Sequence, residues 1–405
     1  MQMPRTRMIS ALDTSLELWI FLLWTSFASG MRHFNSILVW IFLFHVFYKM
    51  LTRERFFKRT PLDLPIVIFT VSVFLPSIIQ IGFYDTWRAG KVIIYCIILY
   101  YVLVDCVCRR PGLVKRIAIF CVIIGVILGI YSLFQTVVDL KFTELKIEHL
   151  DRARALFSNE NLLGFFLVGV IPLALYLFNK TTSVSGKGVS FLALVSMLAG
   201  LVVTGNRSSW LALIIVLIIL FASGMRKGAQ YTFLAAITMV VFFAFVFSFH
   251  LSSERISHTA VWNVMQDRWT TWERTMSIIK EEPVLGYGMN TFWNVYNEYI
   301  KKHNLSPDVD RFPHMFILEI WQVSGIFALL SFLYFLCRYV RTCWPYANKS
   351  ETINTLICSS LALFISASVN VGLMSRYYNF LFWFFSGLLM GSIELFKQRE
   401  PHIIH

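Results

Sequence analysis

Charged residues are scarce in this chain of 405 residues. Asp, Glu, Lys and Arg make up 15% of the sequence, whereas soluble globular domains usually hold about 25%. Hydrophobic residues make up 57%, and the mean hydropathy is +0.65. The apolar residues form long runs separated by short polar segments, as bilayer-spanning helices require. This composition excludes an ordinary soluble domain and predicts an integral membrane protein.

Sequence patterns for metals, cofactors and nucleic acids are also sparse. None of the seven cysteines has metal-site spacing, and Gly286-Tyr-Gly288 lacks the strand and the third glycine of a dinucleotide fingerprint. Asp308 and Asp310 have the spacing of a metal-binding pair in nucleotide-sugar transferases, but this pattern is common and Arg311 follows it directly. The net charge of +13 is spread over short loops rather than one basic face. We therefore expect no metal, no cofactor and no nucleic acid partner.

The apolar windows predict an all-α integral membrane protein with about 12 transmembrane helices. The windows cover residues 14–30, 35–50, 65–83, 91–107, 116–136, 162–178, 189–204, 209–223, 231–249, 315–337, 353–371 and 378–396. The predicted parts of the chain are helices 1–5 in residues 1–137, an outer segment with helices 6–9 in 138–249, a large loop over 250–313, and helices 10–12 in 314–405.

The positions of Lys and Arg predict the orientation of these helices. They are concentrated near both termini and in alternate loops, which places the termini in the cytoplasm and the large loop outside. Within that loop we expect Asp267 to cap a helix that runs to Lys280, and residues 291–302 to form a second short helix. Two amphipathic helices rich in aromatic residues would lie as a lid on the outer membrane surface.

Two arginines stand where an outer phosphate could be bound. Arg207 lies in the short polar turn between two apolar runs, where it either snorkels to the interface or binds a lipid phosphate. Arg268 is expected in the first turn of the loop helix, where it is either an ordinary solvated residue or a diphosphate ligand. Trp269 and Trp272 flank Arg268 and could meet lipid or stack on a sugar.

Further polar residues are predicted at the same outer face. His314 follows Pro313, which we expect at a first helical position, and the histidine is either structural or a general base. Glu319 is an intramembrane acid, about one turn further in, that could orient a polar group or pair with an arginine. The remaining outer arginines that could converge on a phosphate-rich site are Arg152, Arg154 and Arg376.

Four segments of the chain, in order, resemble one family. They are residues 152–164 with Arg152 and Asn161, residues 204–208 around Arg207, residues 267–288 from Asp267-Arg268 to Gly288, and residues 313–325 from Pro313-His314 to Gly325. Together they resemble the O-antigen ligase and polymerase superfamily of bacterial membrane glycosyltransferases. Met315 stands where an Asn is usual in that family, and Ala155 where a Gly is common.

The resemblance implies a multi-pass protein of the bacterial inner membrane with a periplasmic active site. The donor would be a glycan on undecaprenyl diphosphate and the acceptor a hydroxyl of lipid A–core, and transfer would invert the anomeric centre. Arg207 and Arg268 would bind the diphosphate, while His314 would take the acceptor proton. Alternatives within the superfamily are a polysaccharide polymerase and a transferase acting on protein hydroxyls. An alternative of another class is a lipid or polysaccharide transporter, for which we expect broken helices and charges at the membrane midplane.

Overall fold

The structure, a computed structural model, describes residues 5–28, 33–138, 153–157, 159–224, 238, 242, 258–305, 313–368 and 375–400. Within these ranges the regular secondary structure is helical, with connecting loops and turns and no strand. The α-helices are α1 Arg5–Ala28, α2 Phe34–Thr52, α3 Asp63–Arg109, α4 Leu113–Val138, α5 Glu160–Lys180, α6 Val184–Val203, α7 Arg207–Gly224, α8 His258–Glu281, α9 Phe292–Lys302, α10 Phe316–Cys343, α11 Glu351–Ser368 and α12 Arg376–Arg399. A 3₁₀ turn, Trp344–Tyr346, follows α10.

Eight described helices are long and apolar enough to cross a membrane, namely α2 to α6 and α10 to α12. Helix α7 is apolar but shorter, over Arg207–Ala222. The predicted span 231–249 lies outside the described residues apart from Thr238 and Phe242. The predicted all-helical, multi-pass membrane fold is therefore confirmed, whereas the count of twelve spans stays a prediction.

Helix α3 is a hairpin rather than one straight rod. Gly82 interrupts it with φ 80° and ψ 165°, a conformation that glycine adopts without steric cost. The hydroxyl of Tyr101 donates to Oδ1 of Asp63 over 3.0 Å, although a straight helix would separate these residues by about 57 Å. The two arms thus coincide with two of the predicted spans, 65–83 and 91–107.

Helix α10 also bends sharply, at Gly325, where φ is 77°. The rings of Phe316 and Phe332 lie 6.4 Å apart, whereas sixteen residues of straight helix would span about 24 Å. The 283–289 loop fills the break. Tyr287 N donates to the Gln322 carbonyl over 2.9 Å, Gly288 N donates to Val323 over 2.8 Å, and Ile326 N donates to Pro283 over 3.0 Å.

The helices alternate in direction, so the bundle has two ends. The Gly82 end holds the turn of α3, the α6–α7 turn at residues 204–206 and the start of α12. The Asp63 end holds the starts of α3 and α11 and the end of α5. There, Asn179 Nδ2 donates to Glu351 Oε1, and the Lys180 ammonium lies 2.6 Å from Glu351 Oε2. The site residues predicted above that the structure describes lie towards the Gly82 end.

An aromatic cluster at the Gly82 end joins α1 to the rest of the bundle. Trp24 is fully buried, and its ring lies 5.6 Å from Phe166 of α5 and 5.1 Å from Phe380 of α12. A buried tryptophan contributes a large apolar surface to the packing between helices. One face of α1 is therefore packed against the bundle, whereas Leu18 and Leu22 on the opposite face are 56% and 49% exposed, and α1 is not among the eight candidate spans.

Candidate functional site

The segment 153–157 is held against α4 by one buried amide and against the end of α6 by a backbone hydrogen bond. Gln135 of α4 is 7% exposed, and its Oε1 accepts from Ala155 N over 2.8 Å and from Arg154 N over 3.3 Å. Its Nε2 donates to the Ala155 carbonyl over 3.1 Å. Ala153 N donates to Val203 O over 3.0 Å, so this segment lies beside the α6–α7 turn. Arg154, which is half-buried, is thereby fixed at the Gly82 end.

Asn206 sets the position of Arg207. Its side-chain oxygen accepts from Ser209 N over 3.2 Å and caps α7, while its Nδ2 donates to the Asn161 carbonyl over 3.2 Å. A Cβ atom on Gly164 would lie only 2.6 Å from Nδ2 of Asn206, so a glycine permits this approach of α5 to α7. Arg207 itself is the exposed first residue of α7 at the Gly82 end.

The start of α12 borders the same segment. The guanidinium of Arg376 lies over the Tyr377 ring, 5.9 Å from its centroid, and Arg376 is exposed. The Tyr377 ring lies 6.1 Å from that of Phe157. Two of the three additional arginines predicted to be outer ligands, Arg154 and Arg376, are therefore brought together here. The third, Arg152, lies outside the described residues, as do Asp308, Asp310 and Arg311.

His314 lies next to the start of α12 and next to α8. It has a left-handed backbone, φ 49°, and is half-buried. The Phe316 ring lies 4.9 Å from Tyr378, and Trp272 Nε1 donates to the Pro313 carbonyl over 2.7 Å. The prediction that Pro313 opens the helix is wrong, because α10 begins only at Phe316. The left-handed His314 turns the chain before the helix can start.

Helix α8 carries Arg268 on a face beside Pro313. The prediction that Asp267 caps this helix is wrong, because α8 begins at His258 and Asp267 lies within it. The residues before Asp267 continue the helix, so Arg268 sits about three turns in and not at a positive helix end. Arg268 and Trp272 are half-buried, Trp269 is 67% exposed, and the two indole rings lie 6.4 Å apart.

Two polar side chains are buried in the first arm of α10. Glu319 is 4% exposed, and Gln322, one turn further along, is fully buried. Neither amide atom of Gln322 has a hydrogen-bond partner within the described part of the chain. The first arm of α10 therefore carries buried polar groups next to the half-buried His314 and close to the break at Gly325.

Contacts between neighbouring elements connect these groups around the Gly82 end. Ser209 Oγ lies 2.6 Å from Ser366 Oγ, which ties the start of α7 to α11. The ring of Phe364 on α11 lies 6.2 Å from Phe316, which follows His314 by two residues. Successive contacts therefore connect the segments around the Gly82 end that carry the candidate residues, namely Arg154, Arg207, Arg268, His314 and Arg376.

Sequence reasoning missed the residues that hold these segments. Gln135 and Asn206 are both buried polar residues at the ends of apolar runs, and this placement was the available signal. It also missed a polar cleft between the turn of α3 and the start of α9, where Asp85 and Arg88 face Asn290. Those two stretches are about 200 residues apart in sequence, so only the fold brings them together.

A family model described as O-antigen ligase matches residues 192–333, about a third of the chain. The matched segment runs from α6 into α10 and includes Arg207, Arg268, His314 and Glu319. A comparison of the chain with curated proteins found no match. The chain is thus similar to O-antigen ligases over residues 192–333, which confirms the resemblance to that superfamily indicated by its motifs.

Proposed function

We propose that this protein transfers a glycan from undecaprenyl diphosphate to a hydroxyl of lipid A–core. The match to O-antigen ligases supports a glycosyltransferase-like membrane enzyme with lipid-linked glycan substrates. The acceptor oxygen forms a bond to the anomeric carbon while the bond from that carbon to the diphosphate breaks. The electron pair leaves with undecaprenyl diphosphate, and the hydroxyl proton passes to His314. Attack opposite the leaving group inverts the anomeric centre.

The distribution of basic residues supports a cytoplasmic Asp63 end in the bacterial inner membrane. The loops at that end carry a series of Lys and Arg residues, among them Arg53, Arg55, Lys58, Arg59, Arg110, Lys115, Lys349 and Arg399. In this orientation both termini are cytoplasmic and the Gly82 end faces the periplasm, where nucleotide sugars are absent. The 250–313 segment then lies between the central helices and residues 314–405 as the periplasmic loop.

Arginine side chains are suited to this chemistry because the leaving group is already a diphosphate. Catalysis then depends mainly on charge neutralisation and on holding the acceptor in place. Each charge-assisted hydrogen bond contributes about 1.5–3 kcal/mol, so Arg207 and Arg268 together neutralise much of the developing charge without a metal. Arg154 and Arg376 would extend the same cationic surface, and a positioned base such as His314 adds about 10²–10⁴-fold.

The observation that carries this proposal is the hydrogen bond from Trp272 to the Pro313 carbonyl, 2.7 Å long. It joins the helix of Arg268 to the turn of His314, so Arg268 is positioned by this contact and not by a helix N-terminus. Trp269, which is 67% exposed on the same helix, is available to a lipid chain or a sugar ring. Glu319 then serves as a buried acid that orients polar groups near His314.

The test is transfer by the purified protein in lipid, with release of undecaprenyl diphosphate as the readout. Arg207→Ala, Arg268→Ala and His314→Ala should each lower the rate by at least about a hundredfold, since each removes charge neutralisation or the base. Arg341→Ala, an exposed arginine of α10 near the Asp63 end, is the matched control and should transfer at the wild-type rate. Wild-type rates in all three site variants would contradict the assignment of the site.

The same assay, run with three acceptors in turn, determines which acceptor the protein uses. Lipid A–core as the best acceptor supports a ligase, a second lipid-linked repeat supports a polymerase, and a protein hydroxyl supports protein glycosylation. Release of no undecaprenyl diphosphate with any acceptor would contradict all three.

One observation favours the alternative of transport. Helix α10 is broken at Gly325, and the buried Glu319 lies close to the break. Transporters often have such discontinuous helices at their substrate sites. The 283–289 loop, however, occupies this break through backbone hydrogen bonds, which favours a fixed arrangement over an ion or substrate path. Unchanged donor that crosses a vesicle membrane without cleavage would support transport.

A further inference from the structure

A cleft at the Gly82 end is lined by residues other than Arg207, Arg268 and His314. It has a volume of about 550 Å³ and is lined on one side by Ile81, Asp85, Arg88 and Ala89 of α3. Met289, Asn290 and Thr291, which precede α9, and Asn294 in its first turn line the other side. This volume falls within the range of about 300–1,000 Å³ that small-molecule sites occupy.

The walls of the cleft are held in fixed positions. Met289 N, at the end of the 283–289 loop, donates to Ser77 Oγ over 2.8 Å, and Gln80 Nε2 donates to the Gly286 carbonyl over 2.8 Å. A Cβ atom on Gly90 would lie 2.6 Å from the ring of Phe74, so the two arms of α3 are in close contact below the cleft. The cleft is therefore a preformed feature between the α3 hairpin and the loop that fills the α10 break.

The chemistry of the lining indicates a ligand with many hydroxyl groups. Asp85 can only accept hydrogen bonds, Arg88 can only donate them, and the amides of Asn290 and Asn294 can do both. A carboxylate in the lining disfavours a phosphate, whereas adjacent hydroxyls of a sugar use donors and acceptors together. Beside the cleft, Tyr84 and Trp87 are 75% and 40% exposed, as aromatic residues at a membrane interface are.

We propose that this cleft binds sugar residues of a lipid-linked glycan while its lipid lies in the adjacent membrane. This inference rests on the proposed function, because it assigns to the cleft one of the two glycans of that reaction. The glycan comes either from the acceptor core oligosaccharide or from the donor. The 283–289 loop separates the cleft from the first arm of α10. Sugar residues bound in the cleft therefore do not contact His314, and the reacting end of the same glycan lies outside the cleft.

The kinetic test compares two asparagines of α9. Asn294→Ala removes a cleft amide and should raise the KM of one glycan substrate about three- to tenfold with kcat unchanged, as expected when ground-state and transition-state binding are lost equally. Asn297→Ala, one turn away and not lining the cleft, is the matched control with wild-type KM values. Ala89→Trp, which fills the cleft, should produce the same change more strongly.

A binding test decides the source of the glycan without relying on transfer. Calorimetry uses two probes, the oligosaccharide released from lipid A–core by mild acid and the glycan released from the donor in the same way. Binding of either probe to the full-length protein, weakened in Asn294→Ala and Asp85→Asn, supports the cleft and names its source. If neither probe binds and both KM values in Asn294→Ala equal those in Asn297→Ala, the cleft proposal is overturned. A wild-type protein that binds a probe but transfers to no acceptor would contradict the proposed function alone.

Discussion

Lys49 of α2 is buried near the Asp63 end, with 2% of its side chain exposed. Its ammonium lies 2.8 Å from Asp105 Oδ1 on α3 and 2.8 Å from Glu54 Oε2. Arg109 pairs with the second oxygen of Asp105 over 2.9 Å and also with Asp13 of α1. Removing one partner from such a network is costly because it leaves the other charges buried without compensation.

At this residue scale we predict that Lys49→Met destabilises the protein. The free energy of unfolding in mixed detergent should fall by about 3 kcal/mol, the lower end of the effect for a broken buried pair, since Arg109 still contacts Asp105. Lys302→Met is the matched control, because Lys302 pairs with Glu281 over 3.3 Å with 63% and 48% of the two side chains exposed. Its effect should stay below about 1 kcal/mol. Equal effects of the two substitutions would contradict a stabilising role for the buried network.

At the scale of an element, the break in α10 depends on a single glycine. Gly325 has φ 77°, and a Cβ atom built there would overlap the carbonyl oxygen of Val284 in the 283–289 loop. An alanine therefore combines an unfavourable backbone with a clash against main-chain atoms that cannot move aside cheaply. The bend and the loop that fills it form one unit.

Gly325→Ala should therefore lower the apparent melting temperature and the yield of folded protein. The backbone conformation alone costs about 1–3 kcal/mol. Gly188→Ala in α6 is the control, because nothing lies within 4 Å of a Cβ placed there. Alanine inside a helix is favoured over glycine by about 0.5–1 kcal/mol, so this control should be neutral or stabilising. A Gly325→Ala variant as stable as wild type would mean that the 283–289 loop does not pack into the break.

Local sequence signals predicted some element boundaries and missed others. The sequence predicts the second loop helix at residues 291–302, and the structure has it at Phe292–Lys302, because the glycines and turn residues before it end the preceding structure. The residue type of Asp267 favours a helix cap, but the residues before it extend α8 to His258. The bends of α3 and α10 depend on contacts between distant segments, which periodicity does not record.

At the scale of the whole molecule, hydropathy was enough to predict a multi-pass helical membrane protein. Motif order was enough to indicate the family that residues 192–333 match. The sequence could not show which motifs lie next to each other. Ala153 contacts Val203, 50 positions away, and Phe157 contacts Tyr377, 220 positions away. The cleft beside Asp85 was missed for the same reason.

We propose that Arg207 and Arg268 bind the same diphosphate, whereas His314 acts on the acceptor hydroxyl and does not bind the diphosphate. The most direct test of this proposal is the dissociation constant of undecaprenyl diphosphate for the purified full-length protein in nanodiscs. Arg207→Ala and Arg268→Ala should each weaken binding about tenfold or more, as expected for loss of a charge-assisted hydrogen bond. His314→Ala should bind as wild type does while failing to transfer. Wild-type affinity in both arginine variants, or a loss of affinity confined to His314→Ala, would contradict the account.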